Sequence, residues 1–411
     1  MGTKHAWFLK FFGMVILAGA LLASMSPAYG EETVKLGALI PMTGDLQAYG
    51  KSSLTGVQLA EKQINEAGGV LGRKLTIKVG DTQTKPQAGI DAAQKLVSIH
   101  NVSGIVGALS SGVTIPVAQS VTKSAGVPQI SPASTSPVIT GLADNDFLFR
   151  SVPSDAFQGV ALAQLVTEAG YSNVAVLYIN NDYGEGLAQS FDKAFSEKDG
   201  NVSASLAYEP GNASYRGELS KASGQGAEAL IMIGYPENGT TILRQALEEG
   251  YFKEFIYTDG LKAPEIIDAI GAEYLNGSFG IAPQAMSDSA AAQTYLDAYK
   301  AMFGQVPPKP YIDTAYDAAF VLALAVEKAG TTDSKATRDA LRDVANPPGT
   351  KILPGQWAKA VKLLEKGKDI DYVGASGSIN FDQAGDVSGT FAKWMITDGK
   401  IETVKVFEPE M

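Results

Sequence analysis

Hydroxyl, phenol and carboxylate side chains follow four of the apolar segments that we expect to form strands. In open parallel sheets, ligands bind beyond the carboxyl ends of the strands, where helix N-termini present unpaired backbone amides. Such side chains suit the binding of a small zwitterion better than chemistry on it. The segments and the residues after them are Ile105–Leu109 with Ser110-Ser111-Gly112, Val174–Ile179 with Asn181-Asp182-Tyr183-Gly184, Leu230–Gly234 with Tyr235, and Phe255–Thr258 with Asp259-Gly260.

The two ends of a zwitterion need opposite partners, and the sequence offers both. Ser111, at a predicted helix start, and Thr135, in Ser131-Pro132-Ala133-Ser134-Thr135, can hold a carboxylate through hydroxyls, backbone amides and the helix dipole. Asp259 can accept an ammonium, while phenols such as Tyr49 and Tyr183 wall the cavity. Each residue also has an ordinary structural interpretation. Ser and Thr commonly cap helices, an Asp-Gly pair commonly forms a turn, and Tyr183 can simply pack on a helix face.

Residues for covalent or metal chemistry are scarce. The sequence has no cysteine, which excludes disulfides, thiol catalysis and thiolate metal sites. Of its two histidines, His5 lies in the N-terminal segment discussed below and His100 ends a helical apolar stripe, so a Ser-His-Asp triad or a histidine-rich metal site has little support. No phosphate-binding loop or dinucleotide fingerprint is present. We therefore expect no enzyme, cofactor or metal, although the abundant acidic residues leave a catalytic carboxylate pair formally open.

The first thirty residues have the pattern of an export signal. Lys4 and Lys10 give a basic start, Phe11–Ala23 is an uncharged apolar run, and Ala28-Tyr29-Gly30 has small residues at a cleavage spacing. The pattern predicts a mature chain that begins at Glu31. A retained anchor is the alternative, but the apolar run is shorter than the roughly 20 residues of a spanning helix. Without a cysteine to carry lipid, the exported protein should diffuse freely, which suggests a Gram-negative periplasm.

Length and charge restrict the number of domains and the kinds of partner. Without the predicted signal, the chain of 411 residues is still too long for one ordinary core, and two lobes are favoured. The net charge is −11 at pH 7, and the signal segment contributes only basic residues, so the mature protein is more acidic still. This balance argues against nucleic acid or an anionic membrane as a partner.

From Val34 onward, short β-branched segments alternate with amphipathic helical ones, which is typical of parallel sheets flanked by helices. The pattern restarts after a connecting strand around Phe147–Val152, so we expect an α/β protein with two similar lobes. Residues 293–330 are predicted to be helical, whereas Asn346–Lys368 is interpreted as a surface excursion because Pro347-Pro348, Pro354 and Trp357 break the pattern. The predicted elements of the first round are strands at Val34–Ile40, Leu75–Val79 and Ile105–Leu109, with helices through Leu54–Ala67 and Ile90–Val97.

Six ordered motifs, spread from about Val34 to about Lys400, carry a resemblance to a known family. They are Gly37-Ala38-Leu39-Ile40-Pro41-Met42-Thr43-Gly44, Ala48-Tyr49-Gly50, Gly68-Gly69-Val70-Leu71-Gly72-Arg73, Ile130-Ser131-Pro132-Ala133-Ser134-Thr135, Asp182-Tyr183-Gly184-Glu185-Gly186 and Gly374-Ala375-Ser376-Gly377. Together they resemble the leucine/isoleucine/valine-binding protein group of periplasmic solute-binding proteins.

The resemblance implies a type I periplasmic binding protein fold, with two doubly wound parallel-sheet lobes that are joined by a three-crossover hinge and close on ligand. It places one lobe at residues 31–153 with 284–387, and the other at 154–283 with 388–411. It also implies that Ser111, Ala133 and Thr135 hold the ligand carboxylate and part of its ammonium. Asp259 would complete the ammonium site, and the residues that would line the pocket are Tyr49, Tyr183, Tyr235 and Tyr311.

Two departures from the family leave the exact ligand open. The branched-chain amino acid binders carry Glu where this chain has Asp259, and the shorter acid reaches less far. They also carry a disulfide beside the serine that corresponds to Ser111, where this chain has Ser110. Relatives bind amino acids, amides, small carboxylates and aromatic acids.

The resemblance implies a monomeric periplasmic component of an ABC importer. It would capture an amino acid, branched-chain, hydrophobic or related, and deliver it to a permease in the inner membrane. The alternative is a periplasmic ligand sensor of the same fold that feeds a signalling receptor.

Overall fold

The structure is a computed structural model that describes residues 33–286 and 288–410. The predicted export signal and the cleavage point before Glu31 lie outside the described residues. Within them, no helix combines the length and the apolar character that a membrane crossing needs.

Five parallel strands form the first sheet, in the order β2-β1-β3-β4-β5. Because the order runs outward from β1 in both directions, the topological switch point lies between β1 and β3, where open sheets of this kind bind ligands. The strands are β1 (Val34–Ile40), β2 (Leu75–Asp81), β3 (Ile105–Gly107), β4 (Gln129–Ser131) and β5 (Leu148–Arg150).

The helices of this first lobe follow its strands. The predicted apolar stripe is confirmed in the longest of them, since Val57, Ala60 and Ile64 are buried. A π-helical segment, Ala118–Thr122, joins the last two. The helices are α1 (Gln47–Glu66), α2 (Pro86–Ser98), α3 (Ser111–Val117) and α4 (Lys123–Ala125).

The second lobe repeats the pattern with a second sheet. Its parallel strands are β6 (Asn173–Ile179), β7 (Asn201–Tyr208), β8 (Ala229–Ile233), β9 (Phe255–Tyr257) and β10 (Phe279–Pro283). Its helices are α5 (Asp155–Glu168), α6 (Asp182–Ser196), α7 (Arg216–Ser223), α8 (Pro236–Glu248), α9 (Pro264–Ile270) and α10 (Ala272–Leu275).

After β10 the chain returns to the first lobe, where the long helix α12 packs along α1. The predicted helical stretch at 293–330 is two helices, because Pro307, Pro308 and Pro310 lie in the segment that separates them. A small sheet, in the order β11-β12-β13, completes this part. The elements are α11 (Ala290–Phe303), α12 (Ile312–Ala329), α13 (Ser334–Ala345), β11 (Thr350–Ile352), α14 (Trp357–Leu364), β12 (Ile370–Gly374) and β13 (Gly377–Ser378).

The last two strands, β14 (Phe391–Thr397) and β15 (Lys400–Phe407), add an antiparallel hairpin to β10. The second sheet is therefore ordered β15-β14-β10-β9-β8-β6-β7. The chain passes between the lobes after β5, after β10 and after β13. These three crossovers confirm the predicted fold class, while the predicted lobe boundaries stay predictions.

Asn346–Lys368 lies mostly at the surface, as interpreted from the sequence, but it is anchored in the core. Trp357 is 0 % exposed and its ring meets Phe320 edge to face at 5.6 Å. The Trp357 indole Nε1 donates a hydrogen bond of 2.9 Å to the Gly69 carbonyl, so this segment ties α14 to the end of α1. The predicted connecting strand around 147–152 is β5, the edge strand of the first sheet.

Candidate functional site

The sequence-predicted residues converge at the carboxyl ends of strands from both sheets. All of them except Thr135 line one small cavity between the lobes, which we call the first cleft. Its lining residues are Leu46, Tyr49, Leu109, Ser111, Ala133, Tyr183, Tyr235, Asp259, Gly260 and Tyr311.

Asp259 is the charged group at the centre of this cleft. It lies in a 3₁₀ turn directly after β9 and is only 2 % exposed. Its Oδ1 accepts hydrogen bonds from the Tyr183 hydroxyl at 2.8 Å and from the Gln158 side-chain amide at 2.6 Å, and its Oδ2 accepts one from Tyr311. Burial raises the pKa of this carboxyl, and the three hydrogen bonds oppose the rise. No Lys or Arg of the described chain forms an ion pair with it.

A second buried carboxyl, Asp155, lies beside the first at the start of α5. Its Oδ1 accepts a hydrogen bond of 3.0 Å from the same Gln158 amide, and its Oδ2 has no hydrogen-bond partner in the described part of the protein. Burial, and then the charge of Asp259, raise the pKa of Asp155 well above its usual range. Two buried carboxyls joined by one amide make this end of the cleft suited to a cationic group.

Ser111, Ala133 and Thr135 are the predicted site residues that follow strands of the first sheet. Ser111 is the first residue of α3, but its hydroxyl accepts a hydrogen bond of 3.2 Å from the Ser136 amide instead of capping that helix. The Thr135 hydroxyl is buried beside Asp155 and lowers the pKa of that carboxyl, yet no hydrogen bond of good geometry joins the two. The helix-capping interpretation therefore fails for Ser111.

Four tyrosine rings wall the cleft. Tyr183 and Tyr235 stack with their ring centroids 5.7 Å apart and their planes 9° apart, while Tyr49 meets Tyr311 edge to face at 6.1 Å. Burial raises the pKa of all four phenols, so they act as neutral hydrogen-bonding groups. Tyr311 has a left-handed backbone, with φ of 74°, which is uncommon for an aromatic residue and places its hydroxyl on Asp259.

Hydrogen bonds across the cleft hold the lobes in a closed arrangement. The Tyr49 hydroxyl donates to the Gly260 carbonyl at 3.1 Å, and the Ser110 and Tyr235 hydroxyls lie 3.0 Å apart. Tyr49 and Ser110 belong to the first lobe, whereas Gly260 and Tyr235 belong to the second. Ser110 stands where the branched-chain amino acid binders carry a disulfide, and in this protein it contacts the facing lobe.

A buried ion pair supports the loop that carries Thr135. The Arg150 guanidinium binds both carboxylate oxygens of Asp386 at 2.6 Å. Its third nitrogen donates to the carbonyls of Thr135 at 3.2 Å and Ser136 at 3.0 Å. Arg150 ends β5 and Asp386 lies near the third crossover, so this pair links the binding loop to the hinge.

Sequence reasoning missed Asp155, Gln158 and Arg150. The rule that pointed to Ser111 and Asp259 also applies to β5, and Asp155 opens the helix that follows this strand. Interpreted only as a connecting strand, this segment gives no reason to expect site residues at its end. His100 lies just after α2, away from the cleft, and no cluster of acidic or histidine side chains within residues 33–286 and 288–410 could hold a metal ion.

Comparison with known proteins gives the same family from several directions. A family model described as periplasmic binding protein matches residues 33–356. The leucine-, isoleucine-, valine-, threonine- and alanine-binding protein of Pseudomonas aeruginosa is 30% identical over 335 residues, which are 81% of this chain and 87% of that protein. BasB of Halobacterium salinarum, a substrate-binding protein of a chemotactic signal transduction system, is 26% identical over 90% of this chain and 89% of its own length.

A solved structure extends the likeness to three dimensions. The branched-chain amino acid transporter substrate binding protein LivJ of Streptococcus pneumoniae, in complex with isoleucine, superposes with a TM-score of 0.76 at 26% identity. The match covers 92% of this chain and 100% of that chain. With the family model, the relatives and the two-lobed fold in agreement, the chain belongs to the periplasmic binding protein family, in the group of leucine-, isoleucine- and valine-binding proteins.

Proposed function

We propose that this protein binds an α-amino acid with an apolar side chain between its lobes and delivers it to the permease of an ABC importer. The observation that carries the proposal is Asp259. It is a buried carboxylate at the centre of the first cleft that accepts three hydrogen bonds but has no ion-pair partner in the described chain. An ammonium group of a ligand would supply the missing counter-charge.

The rest of the first cleft supports an amino acid as the ligand. In this proposal Ser111, Ala133 and Thr135 hold the carboxylate and part of the ammonium, and Asp259 completes the ammonium site. The apolar faces of Leu46, Leu109 and the tyrosine rings surround the side chain. The Pseudomonas aeruginosa relative binds leucine, isoleucine, valine, threonine and alanine according to its name, and the streptococcal structure contains isoleucine.

We extend the proposal to processing and location. The chain would be cleaved before Glu31 and act in the periplasm as a monomer, with lobes at residues 31–153 with 284–387 and 154–283 with 388–411. The intact mass of the exported protein tests the first step. A mass that still includes the first thirty residues would refute cleavage there.

A thermal-shift screen against amino acids, amides, small carboxylates and aromatic acids tests the ligand class. A ligand at 100 times its dissociation constant stabilises the folded state by about 2.7 kcal/mol, which raises Tm by a few degrees in a protein of this size. We expect the largest shift from an apolar α-amino acid. A screen in which only carboxylates without an amino group raise Tm would contradict the proposal.

A double-mutant cycle then tests the role of Asp259. Asp259→Ala should weaken binding of the best amino acid by about 2–5 kcal/mol, because it leaves an ammonium buried without its counter-charge. Ser111→Ala removes one neutral donor and should cost about 1–3 kcal/mol. Asp259→Ala should reduce the affinity for the deaminated analogue much less than it reduces the affinity for the amino acid. Calorimetry of both ligands with both proteins measures this difference.

The similarity to BasB supports a second candidate, a ligand sensor that passes its signal to a membrane receptor. Both candidates need the same cleft, so binding experiments do not separate them. Uptake of labelled ligand by cells with and without the gene does. Lost uptake identifies a transporter component, whereas normal uptake with a lost chemotactic response identifies a sensor.

The proposal also holds that the ligand leaves the cleft chemically unchanged. The described residues around Asp259 offer hydroxyls, an amide and a second carboxyl, but no histidine or lysine that could serve as a base for Ser111. Mass spectrometry of the ligand after long incubation with the protein checks this. A changed mass would indicate an enzyme.

A further inference from the structure

A second cleft, of about 220 Å³, lies behind one wall of the first cleft. Two short segments separate the two cavities. One runs from Asp259, in the first cleft, to Lys262 in the second, and the other runs from Tyr311 to Asp313.

Lys262 provides a buried positive charge at this second cleft. The residue is 6 % exposed, and its Nζ donates a hydrogen bond of 3.0 Å to Gln284 Oε1. This neutral oxygen is its only hydrogen-bond partner, and no carboxylate in the described chain lies within ion-pair distance of it. Burial lowers the pKa of Lys262 to about 8, while the nearby Asp313 charge works against that change, so the ammonium is largely retained at pH 7.

Asp313 provides the opposite charge on the same cleft. Its Oδ1 accepts a hydrogen bond of 2.9 Å from the Thr314 amide, which leaves Oδ2 for another partner. Burial raises the pKa of Asp313, and the charge of Lys262 lowers it, so the two groups influence each other without forming an ion pair. Two opposite charges therefore face one cavity while each lacks a charged contact.

Tyr295 adds an unused polar group. The residue is 3 % exposed and lines the second cleft, and its hydroxyl has no hydrogen-bond partner among the described residues. The charge of Asp313 reaches this phenol and, with burial, raises its pKa. An unpaired buried hydroxyl costs free energy unless another molecule satisfies it.

Most of the remaining wall of the second cleft is apolar. It comes from α11, from the proline-rich segment before α12 and from β15, with side chains such as Leu296, Val306 and Ile401. Gln284, Lys309 and Thr403 are polar residues of the same wall. The body of the cleft is thus mainly hydrophobic, as is usual for small-molecule sites.

We propose that the second cleft is a further binding site for a small zwitterion with an apolar body, of the kind of an aromatic α-amino acid. Lys262 Nζ binds its carboxylate and Asp313 Oδ2 binds its ammonium. The Tyr295 hydroxyl, which the Asp313 charge reaches, accepts a further hydrogen bond from the same ammonium. This site is separate from the first cleft and does not rest on the function proposed there. A simple organic anion is disfavoured because Asp313 would face it with a like charge.

Three probes that differ only in charge test the proposal. They are L-phenylalanine with both charges, phenylacetate without the ammonium, and phenethylamine without the carboxylate. Calorimetry is done with Asp259→Ala protein, so that the first cleft lacks its own ammonium partner. We expect L-phenylalanine to bind at least about tenfold more tightly than either half-probe.

Substitutions of residues that line the second cleft show whether L-phenylalanine binding depends on them. In the Asp259→Ala background, Lys262→Met and Asp313→Asn should each weaken L-phenylalanine binding at least about tenfold. Lys300→Met, which removes an exposed lysine of α11 that does not line the cleft, should leave it within about twofold. Absent binding, or binding that Lys262→Met does not change, overturns the proposal. Tighter binding of phenylacetate to Asp313→Asn overturns it in favour of an anion site.

Weaker binding could also result from loss of folding, so the variants are chosen to keep the fold. Lys262→Met removes a buried charge whose only partner is a neutral amide oxygen, and Gln284 Oε1 still accepts from Thr403 Oγ1 at 3.1 Å, so the fold should persist. Tyr295→Phe offers an independent route, because it keeps the ring and removes only the hydroxyl. It should weaken L-phenylalanine binding severalfold without lowering Tm. Unchanged binding in a folded Tyr295→Phe protein counts against the proposed contact.

Discussion

The Gln158 side-chain amide donates a hydrogen bond of 2.6 Å to Asp259 Oδ1, and its second bond, of 3.0 Å, goes to Asp155 Oδ1. One neutral group thus separates two buried carboxyls and fixes the orientation of the one that faces the cleft. In this arrangement Gln158 positions the proposed ammonium site without belonging to the lining of the cleft.

Gln158→Leu should therefore impair both stability and binding. Two carboxyl oxygens lose a buried donor, which costs about 1–3 kcal/mol of unfolding free energy, and affinity for an amino acid should fall severalfold. Gln164→Ala on the same helix is the control, since its amide binds the exposed Glu168 at 3.0 Å. Urea unfolding and calorimetry measure the two effects. A Gln158→Leu protein as stable and as tight-binding as Gln164→Ala would show that the bridge does not matter.

The raised pKa values of Asp155 and Asp259 predict a pH dependence of two opposite signs. In the ligand-free protein, the folded state keeps protons that the unfolded state loses above the ordinary value of 3.8. Stability from these groups is thus fully present below that value and decreases as pH rises through their folded pKa values. An ammonium ligand prefers ionised Asp259, so its affinity should increase over the same window.

Thermal shifts with and without an amino acid, from about pH 4 to 8, check both signs, because the ligand keeps its ammonium throughout this range. The rise in Tm caused by the ligand should grow with pH. In Asp259→Asn protein this growth should be much reduced. A ligand effect that is flat or shrinks with rising pH would refute the assignment.

Closure on ligand is expected because the proposed contacts divide between the lobes. A ligand that touches Ser111 and Asp259 together favours the closed state by its differential affinity for it. Small-angle scattering should show a smaller radius of gyration with ligand than without. In Tyr235→Phe protein, which loses the hydroxyl 3.0 Å from Ser110 Oγ, the ligand-free form should be more open and the change larger. A radius that the ligand leaves unchanged in both proteins would contradict hinge closure.

The Arg150–Asp386 pair should be important for stability. Asp386→Ala leaves the guanidinium buried without its counter-charge, which typically costs about 3–5 kcal/mol. Glu249→Ala, which breaks the exposed pair with Arg216 at 2.9 Å, should cost less than about 1 kcal/mol. Urea unfolding of both variants tests the contrast. Equal costs would show that Asp386 does not anchor the hinge.

The sequence predicts the strand ends well because burial and turn chemistry are local. Val34–Ile40 is β1 without change, and the residues after β3, β6, β8 and β9 line the first cleft as expected. β7 and β4 are harder to predict. In β7, an edge strand of the second sheet, most side chains are partly or fully exposed, and β4, inside the first sheet, has only three residues, so neither carries a strong hydrophobic pattern.

Pairings between distant residues could not be predicted from spacing. Gln158 and Asp259 are 101 positions apart, and Arg150 and Asp386 are 236 apart. Only the folded chain brings these groups together. Trp357 illustrates the same limit, because its burial depends on α1 and α12, whereas its own surroundings in sequence are rich in proline and lysine.

The hydrogen bond from Tyr311 to Asp259 makes the protein's own phenol a competitor of the ligand. Gln158, Tyr183 and Tyr311 already fill three of the roughly four acceptor positions of this carboxylate. A ligand hydroxyl that replaces the Tyr311 hydroxyl forms a similar hydrogen bond, so the exchange gains little free energy. An ammonium gains more, since it also places a positive charge next to the buried carboxylate, as in an ion pair. A ligand with a cationic group can therefore displace the Tyr311 phenol from Asp259, whereas an alcohol of the same shape gains too little free energy to do so.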